Sequence, residues 1–427
     1  MKHLIKTMLS ESLGTALSNE AVSFQHDRGL YLALVACFEP LVAKGRSKAV
    51  TAKDVRECGV VNVIKEHTNL TFNLGVWSGM LNACVYPPQF DSSHPFYNGW
   101  YRGATEDIAK LISRAKDPIR GSIDLQKGWV TGVYAELDMK MMLGTELFTC
   151  QMTAEHVAAI TLHEIGHVMS YLEFLGDFGQ FNLLLLGLCK AVTQKQPVEK
   201  KIEIIKLIES HTGTTVPDKE EIAKSDNVND YVRIIVSDRP TGTRSSSGSF
   251  MNDIKAWEFA SDQFAVRMGA GKALVEGMTL LYKLSGSPSA MSTGRFIFCQ
   301  IMEVISLIML GVWSVGILPL VLIVLHSPYA STYDNDAYRV KRMRLSVLEA
   351  LKDKELEPDV RKRLNEEIES IDKIASILQD REGVLDKIKL MISPSTRKEK
   401  REILIQQLTE SLGNNDLFLA GSRFKTQ

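Results

Sequence analysis

Met152-Thr-Ala-Glu-His-Val-Ala-Ala-Ile-Thr-Leu-His-Glu-Ile-Gly-His-Val168 decides how this chain is read. Thr153 suits a helix N-cap, because its hydroxyl can accept from a first-turn backbone N–H, and Glu155 then sits near the positive end of the dipole. Val157, Ile160, Ile165 and Val168 predict a helix over 154–172 with one buried face. Inside it lies His163-Glu-Ile-Gly-His167. Residues four apart project from the same side of a helix. His163 and His167 can therefore grip one Zn2+ while Glu164 reaches a water on the ion. Gly166 carries a second signal, since glycine inside a helix costs roughly 1 kcal/mol relative to alanine. A close backbone approach beside the metal would explain that cost; packed histidines alone would not require it.

A hydrolytic zinc site takes three protein ligands and leaves one position for water. Glu258, in Lys255-Ala-Trp-Glu-Phe-Ala-Ser-Asp-Gln-Phe-Ala-Val-Arg267, is the candidate third ligand, on a second helix expected over 252–268. Asp262 follows one turn later on the same face. There it can accept from the free ring nitrogen of a zinc histidine, fixing its tautomer and raising its basicity. Taken alone, the two acids also match an ordinary exposed helix face; the His163/His167 pair tips the reading toward a ligand.

The rest of the chain frames this centre. It has 427 residues, 45% hydrophobic and 24% charged, enough for more than one domain. A net charge of −1 argues against a nucleic-acid partner on global electrostatics. Six scattered cysteines without a C-x-x-C pair point to a reducing compartment. The first ten residues lack the apolar run of a secretory signal, so an intracellular protein is expected, cytoplasmic or membrane-associated. Gly29–Phe38 reads as a short core helix or strand, and Tyr86–Pro95 as a loop. Trp129-Val-Thr-Gly-Val-Tyr-Ala-Glu136 alternates in a β-favouring composition and predicts a strand. Residues 190–250 are charged and helical in patches, closing in a loop at Thr241–Ser249.

Val304–Leu325 carries no charged residue and is long enough for a membrane span, yet Gly311, Gly316 and Pro319 interrupt it. Membrane association through 304–325 and a buried hairpin both stay open. From Ala337 the chain is a charged helical pattern broken at Glu357-Pro358, read as a hairpin or arm that is solvated or makes a homo- or hetero-oligomer contact. The expected fold is α+β and predominantly helical. Its divisions are 1–125 without an assigned role, 126–342 with the metal site and the apolar segment 296–325, and 343–427 as a charged helical C-terminal arm.

Met152–Val168, followed by Glu258-Phe-Ala-Ser-Asp262, resembles the gluzincin metallopeptidases, and among them the HtpX-like group of membrane and mitochondrial peptidases. The likeness covers 129–342. It implies a zincin-like catalytic domain with a small edge-strand sheet and a zinc-dependent endopeptidase acting on a peptide or protein substrate. Glu164 would be the general base, and Trp129, Thr131 and Val133 would hold the extended peptide by edge addition. The group also ends in a His-Pro…Arg element. His326-Ser-Pro328 and Arg339 correspond to it here, which implies that His326 steadies the developing oxyanion. Two features depart from the pattern: Ala260-Ser-Asp-Gln-Phe-Ala265 is one residue looser than usual, and an insertion separates His326 from Arg339. An assembly protein that keeps a zincin fold with zinc as a brace is the alternative from another class; it would close the metal with four ligands. An intramembrane protease fits poorly, because Glu155, His156 and Thr161 flank the motif.

Overall fold

The computed structural model describes residues 27–86, 121–231, 254–313 and 336–378, apart from a few positions within those ranges. Helices α1 (Gly29–Gly45), α2 (Ala52–Glu57) and α3 (Val60–Thr68) lead into β1 (Thr71–Trp77) and β2 (Ala83–Tyr86). Next come β3 (Ile123–Asp124), β4 (Trp129–Val130) and β5 (Asp138–Gly144). The remainder is helical: α4 (Ala154–Thr193), α5 (Val198–Thr212), α6 (Ile254–Ala265), α7 (Gly271–Ser285), α8 (Thr293–Trp313), α9 (Asp336–Leu351) and α10 (Pro358–Ile377). The expected class, α+β with helices dominant, is what these elements make.

α4 is the organising element. Thr153 caps it as expected, its hydroxyl accepting from the His156 N–H while its own N–H donates to His156 Nδ1. The helix runs on to Thr193, well past the expected end at 172. Its first half buries Val157, Leu162, Ile165, Met169 and Leu172 in the main core. Further along, Leu184, Leu188 and Val192 form a second, smaller core with Ile204, Ile205 and Ile208 of α5. One helix thus joins two hydrophobic clusters.

The main sheet has the order β1-β5-β2, with β1 parallel and β2 antiparallel to β5. Met139, Met141 and Leu143 of β5 alternate into the core with no exposed surface, the period-two pattern of a strand covered on that face. β2 is an edge strand among the described residues. The strand expected over 129–136 is shorter than its composition suggests. Only Trp129–Val130 pairs, with Ile123–Asp124 in a separate two-stranded sheet, and Gly132–Tyr134 forms a 3-10 turn. Gly128 and Gly132 adopt φ of +64° and +60°, turning the chain on both sides of the pair.

The core draws on all three stretches into which the sequence was divided. β1 and β2, from the region read as 1–125, share a sheet with β5, and Leu30, Leu34 and Phe38 of α1 pack in the same cluster as α4. At the other end, Val340, Met343 and Val347 of α9 and Leu364, Ile368 and Ile371 of α10 also enter that core. Their spacing of three and four residues gives each charged helix one apolar stripe. The hairpin broken at Glu357-Pro358 therefore exists, but it is built in rather than a solvated arm. The rest of the expected arm from 379, the loop at 241–249 and most of 86–95 lie outside the described residues. Residues 293–313 of the apolar stretch form α8, and 314–325 lie outside the description. No helix among the described residues is long and apolar enough to cross a membrane.

Candidate metal centre

α4 and α6 cross at Gly166, and the closeness of that crossing builds the site. A Cβ on Gly166 would fall 2.7 Å from the Ser261 Cα and 2.9 Å from the Ser261 carbonyl oxygen. Only a glycine lets the two backbones meet there. Their approach sets Glu258, one turn before Ser261 on α6, opposite His163 and His167. The close approach expected from Gly166 is real, and its partner is the helix that carries Glu258.

His163 Nε2 lies 3.1 Å from His167 Nε2 and 3.4 Å from Glu258 Oε2; His167 Nε2 lies 3.4 Å from Glu258 Oε1. Zinc bonds of 2.0–2.1 Å at tetrahedral angles place neighbouring ligand atoms about 3.3 Å apart. Each imidazole faces a different oxygen of Glu258 at about that separation, and the two imidazole nitrogens lie slightly closer together. His163 is buried and His167 and Glu258 are part-buried on the cleft wall, and together the three could hold one metal ion; among the described residues they are the group that could.

The surrounding charges hold these ligands in place. Asp262 Oδ1 lies 2.8 Å from His163 Nδ1, the contact expected from the sequence. Arg339, from α9, was legible only as part of a loose motif, and here it ties both acids together. Its Nη2 lies 2.7 Å from Glu258 Oε2 and 2.7 Å from Asp262 Oδ1, and its Nε donates to Asp262 Oδ2 at 2.5 Å. Burial pushes both carboxyls up, but the Arg339 guanidinium outweighs it and leaves Glu258 well below the usual carboxylate range and Asp262 below it. Burial likewise lowers both histidines. For His163 the carboxylates of Asp262 and Glu258 reverse the effect, raising it to about 10, whereas His167, with Glu258 alone, stays lowered.

Glu164 is 8% exposed. Burial, helped by the nearby Glu258 charge, pushes its carboxyl up to about 7 against the opposing pull of His163 and Arg339. The Val85 backbone N–H of β2 also faces it and holds it down a little. That N–H therefore points away from β5 and toward the site. Ala83, two residues earlier and on the same side of the strand, gives its N–H to the Asn82 side chain at 3.0 Å. β2 borders the His163, His167 and Glu258 group. A cavity of about 1060 Å3 opens between β2, α4 and α7, lined by His163, Glu164, His167, Glu258 and Arg339 on its polar side.

The sequence assigned the peptide-holding role to Trp129, Thr131 and Val133, but none of them lines this cavity. β2 does. Ala83-Cys-Val-Tyr86 stops at Pro87-Pro88, and a β-branched and aromatic run ended by prolines is a strand signal that could have been seen. His326 lies outside the described residues. No protein-family model matches the chain, and neither a curated protein nor a solved structure does.

Proposed function

We propose that this chain is a zinc-dependent endopeptidase of the gluzincin type. The observation that carries the reading is the donor triangle of His163, His167 and Glu258, with the buried Glu164 carboxylate on the same helix turn. Two imidazoles with one carboxylate suit zinc better than calcium or magnesium, which prefer all-oxygen sites. Three donors gather among the described residues, the count of an open catalytic site; a closed brace takes four.

Zinc bound there would act as a Lewis acid on water and on a peptide carbonyl. The chain's own residues then do the rest. Glu164, whose carboxyl is raised to about 7, is matched to a proton transfer near neutral pH. It takes a proton from water as the oxygen–carbon bond forms, then delivers that proton to the amine nitrogen as the carbon–nitrogen bond breaks. Asp262 holds His163 in one tautomer, and Arg339 holds Asp262 and Glu258. β2 is an edge strand of the main sheet and lines the cavity beside the site, where an extended peptide would lie.

Cleavage of casein by the zinc-loaded chain tests this. Glu164→Gln is expected to lose about 10²–10⁴ in rate while keeping its zinc. Equal activity in wild type and Glu164→Gln would remove the proposal.

A further inference from the structure

A second group of charges, at the start of α7, plays no part in the metal centre. A π-helical turn, Val266–Ala270, joins α6 to α7, and such turns gather at functional sites. Gly269 within it has φ of +77°, a conformation that suits glycine. Two glycines here each make room for a charged side chain from another element. A Cβ on Gly269 would fall 2.6 Å from Arg28 Cγ and 3.1 Å from its Nε. One on Gly271 would meet Glu367 Oε1. Arg28 stands just before α1, and Glu367 belongs to α10. Three distant stretches of chain thus converge on one turn.

The charges gathered there do not cancel. Glu367 is buried, and its Oε1 accepts from the Lys272 N–H at 2.8 Å. Burial pushes its carboxyl up against the pull of that N–H and of Arg363 and Arg28. Arg363, one turn before Glu367, is lowered by burial and by the like charge of Arg28. The Nε and Nη2 of Arg363 and the Nε of Arg28 are enclosed, with no hydrogen-bond partner among the described residues. Nε and Nη2 form one fork of a guanidinium, the edge that takes a carboxylate or phosphate through two parallel bonds. The Arg28 guanidinium lies over the Tyr31 ring at 5.3 Å, a contact that uses its face and not its edge. Enclosed charged donors without acceptors are costly. We infer that Arg28 and Arg363 form an oxyanion site that takes one phosphate group between α1, the start of α7 and α10. Two like charges favour a doubly charged anion, and a tetrahedral one turns an oxygen toward each guanidinium. Both arginines keep part of their surface in solvent, so the anion arrives from outside. It offsets the repulsion between them and ties α7, whose Leu274 and Met278 line the metal cavity, to α1 and α10. The site stands apart from the peptidase reading and does not depend on it.

Calorimetric titration and thermal melts of the full chain test it, with inorganic phosphate and with O-phosphoserine, against chloride at matched ionic strength. An anion bound only by the folded chain raises Tm as its concentration rises. Wild type is expected to bind one phosphate and to melt higher in phosphate than in chloride. Arg363→Met keeps the apolar stem and removes the fork. It is expected to melt no lower than wild type in chloride and to bind phosphate at least tenfold more weakly. Arg28→Gln is expected to show the same loss of binding, and it carries the test if Arg363→Met does not fold. Glu258→Ala is expected to keep the response, which separates this site from phosphate held on a metal. Binding of phosphate alone supports a site for the free anion, and binding of phosphoserine as well supports one for a phosphomonoester. No response in wild type, a response kept by both arginine variants, or one lost in Glu258→Ala overturns the inference.

Discussion

Asp262 Oδ1 sits 2.8 Å from His163 Nδ1, while the same carboxylate receives two donors of Arg339 through 2.5 and 2.7 Å contacts. A buried acid therefore spends its charge on both an arginine and the histidine's far nitrogen. That arrangement presents Nε2 toward Glu258 and His167. His163 is positioned by its rear contact, and the rear contact is positioned by α9.

Asp262→Asn keeps the shape and removes the charge. Zinc affinity is expected to fall about 10–100-fold, the usual effect of losing a partner behind a metal histidine. Competition against a chelator measures it. An unchanged Kd would mean that His163 needs no orientation from behind.

Gly166→Ala sets two effects against each other. Alanine improves helix propensity by roughly 1 kcal/mol. The new methyl would lie 2.7 Å from a backbone atom of Ser261, which has no flexible end to move away. Overpacking of this kind costs about 1–3 kcal/mol. A net loss of stability is expected, read as a lower Tm, together with weaker zinc binding because α6 carries Glu258. A variant more stable than wild type would show that the helices are not pressed together there.

The smaller core offers a pH test. Both Glu209 oxygens lie within 2.8 Å of Lys219 Nζ, and Oε1 also accepts from the Val216 N–H at 2.8 Å. Burial raises this carboxyl, but the lysine and the N–H outweigh it, so its folded pKa lies below the ordinary value. A lowered carboxylate pKa adds stability that is present above the unfolded pKa and disappears as pH falls through the folded one. From about pH 5 downward, wild type is expected to lose more stability in urea titrations than Glu209→Gln. Parallel losses in the two proteins would count against the ion pair.

The legible parts of the site were those encoded locally. His163, Glu164 and His167 share one helix, so the helical period placed them, and Gly166 announced a close contact without naming its partner. Glu258 and Asp262 became readable because a metal needs a third donor. Arg339 was harder to see, since nothing in a lone arginine on a charged helix says that it turns inward onto two acids. The same holds for α9 and α10. Their apolar stripes were diluted by Lys, Arg and Glu, and the abundant charge suggested solvent where the core in fact lies. The strand at 129–136 failed for a local reason: Gly132 at positive φ turns the chain soon after the two paired residues. β2, four residues long and followed by prolines, is the strand that lines the cavity.

Zinc content of the purified chain after exhaustive dialysis tests the centre most directly, compared with Glu258→Ala. Close to one zinc per wild-type chain and close to none in the variant is the expected result. A wild-type chain that retains no zinc when loaded, or a variant that retains as much as wild type, would contradict a site built from His163, His167 and Glu258.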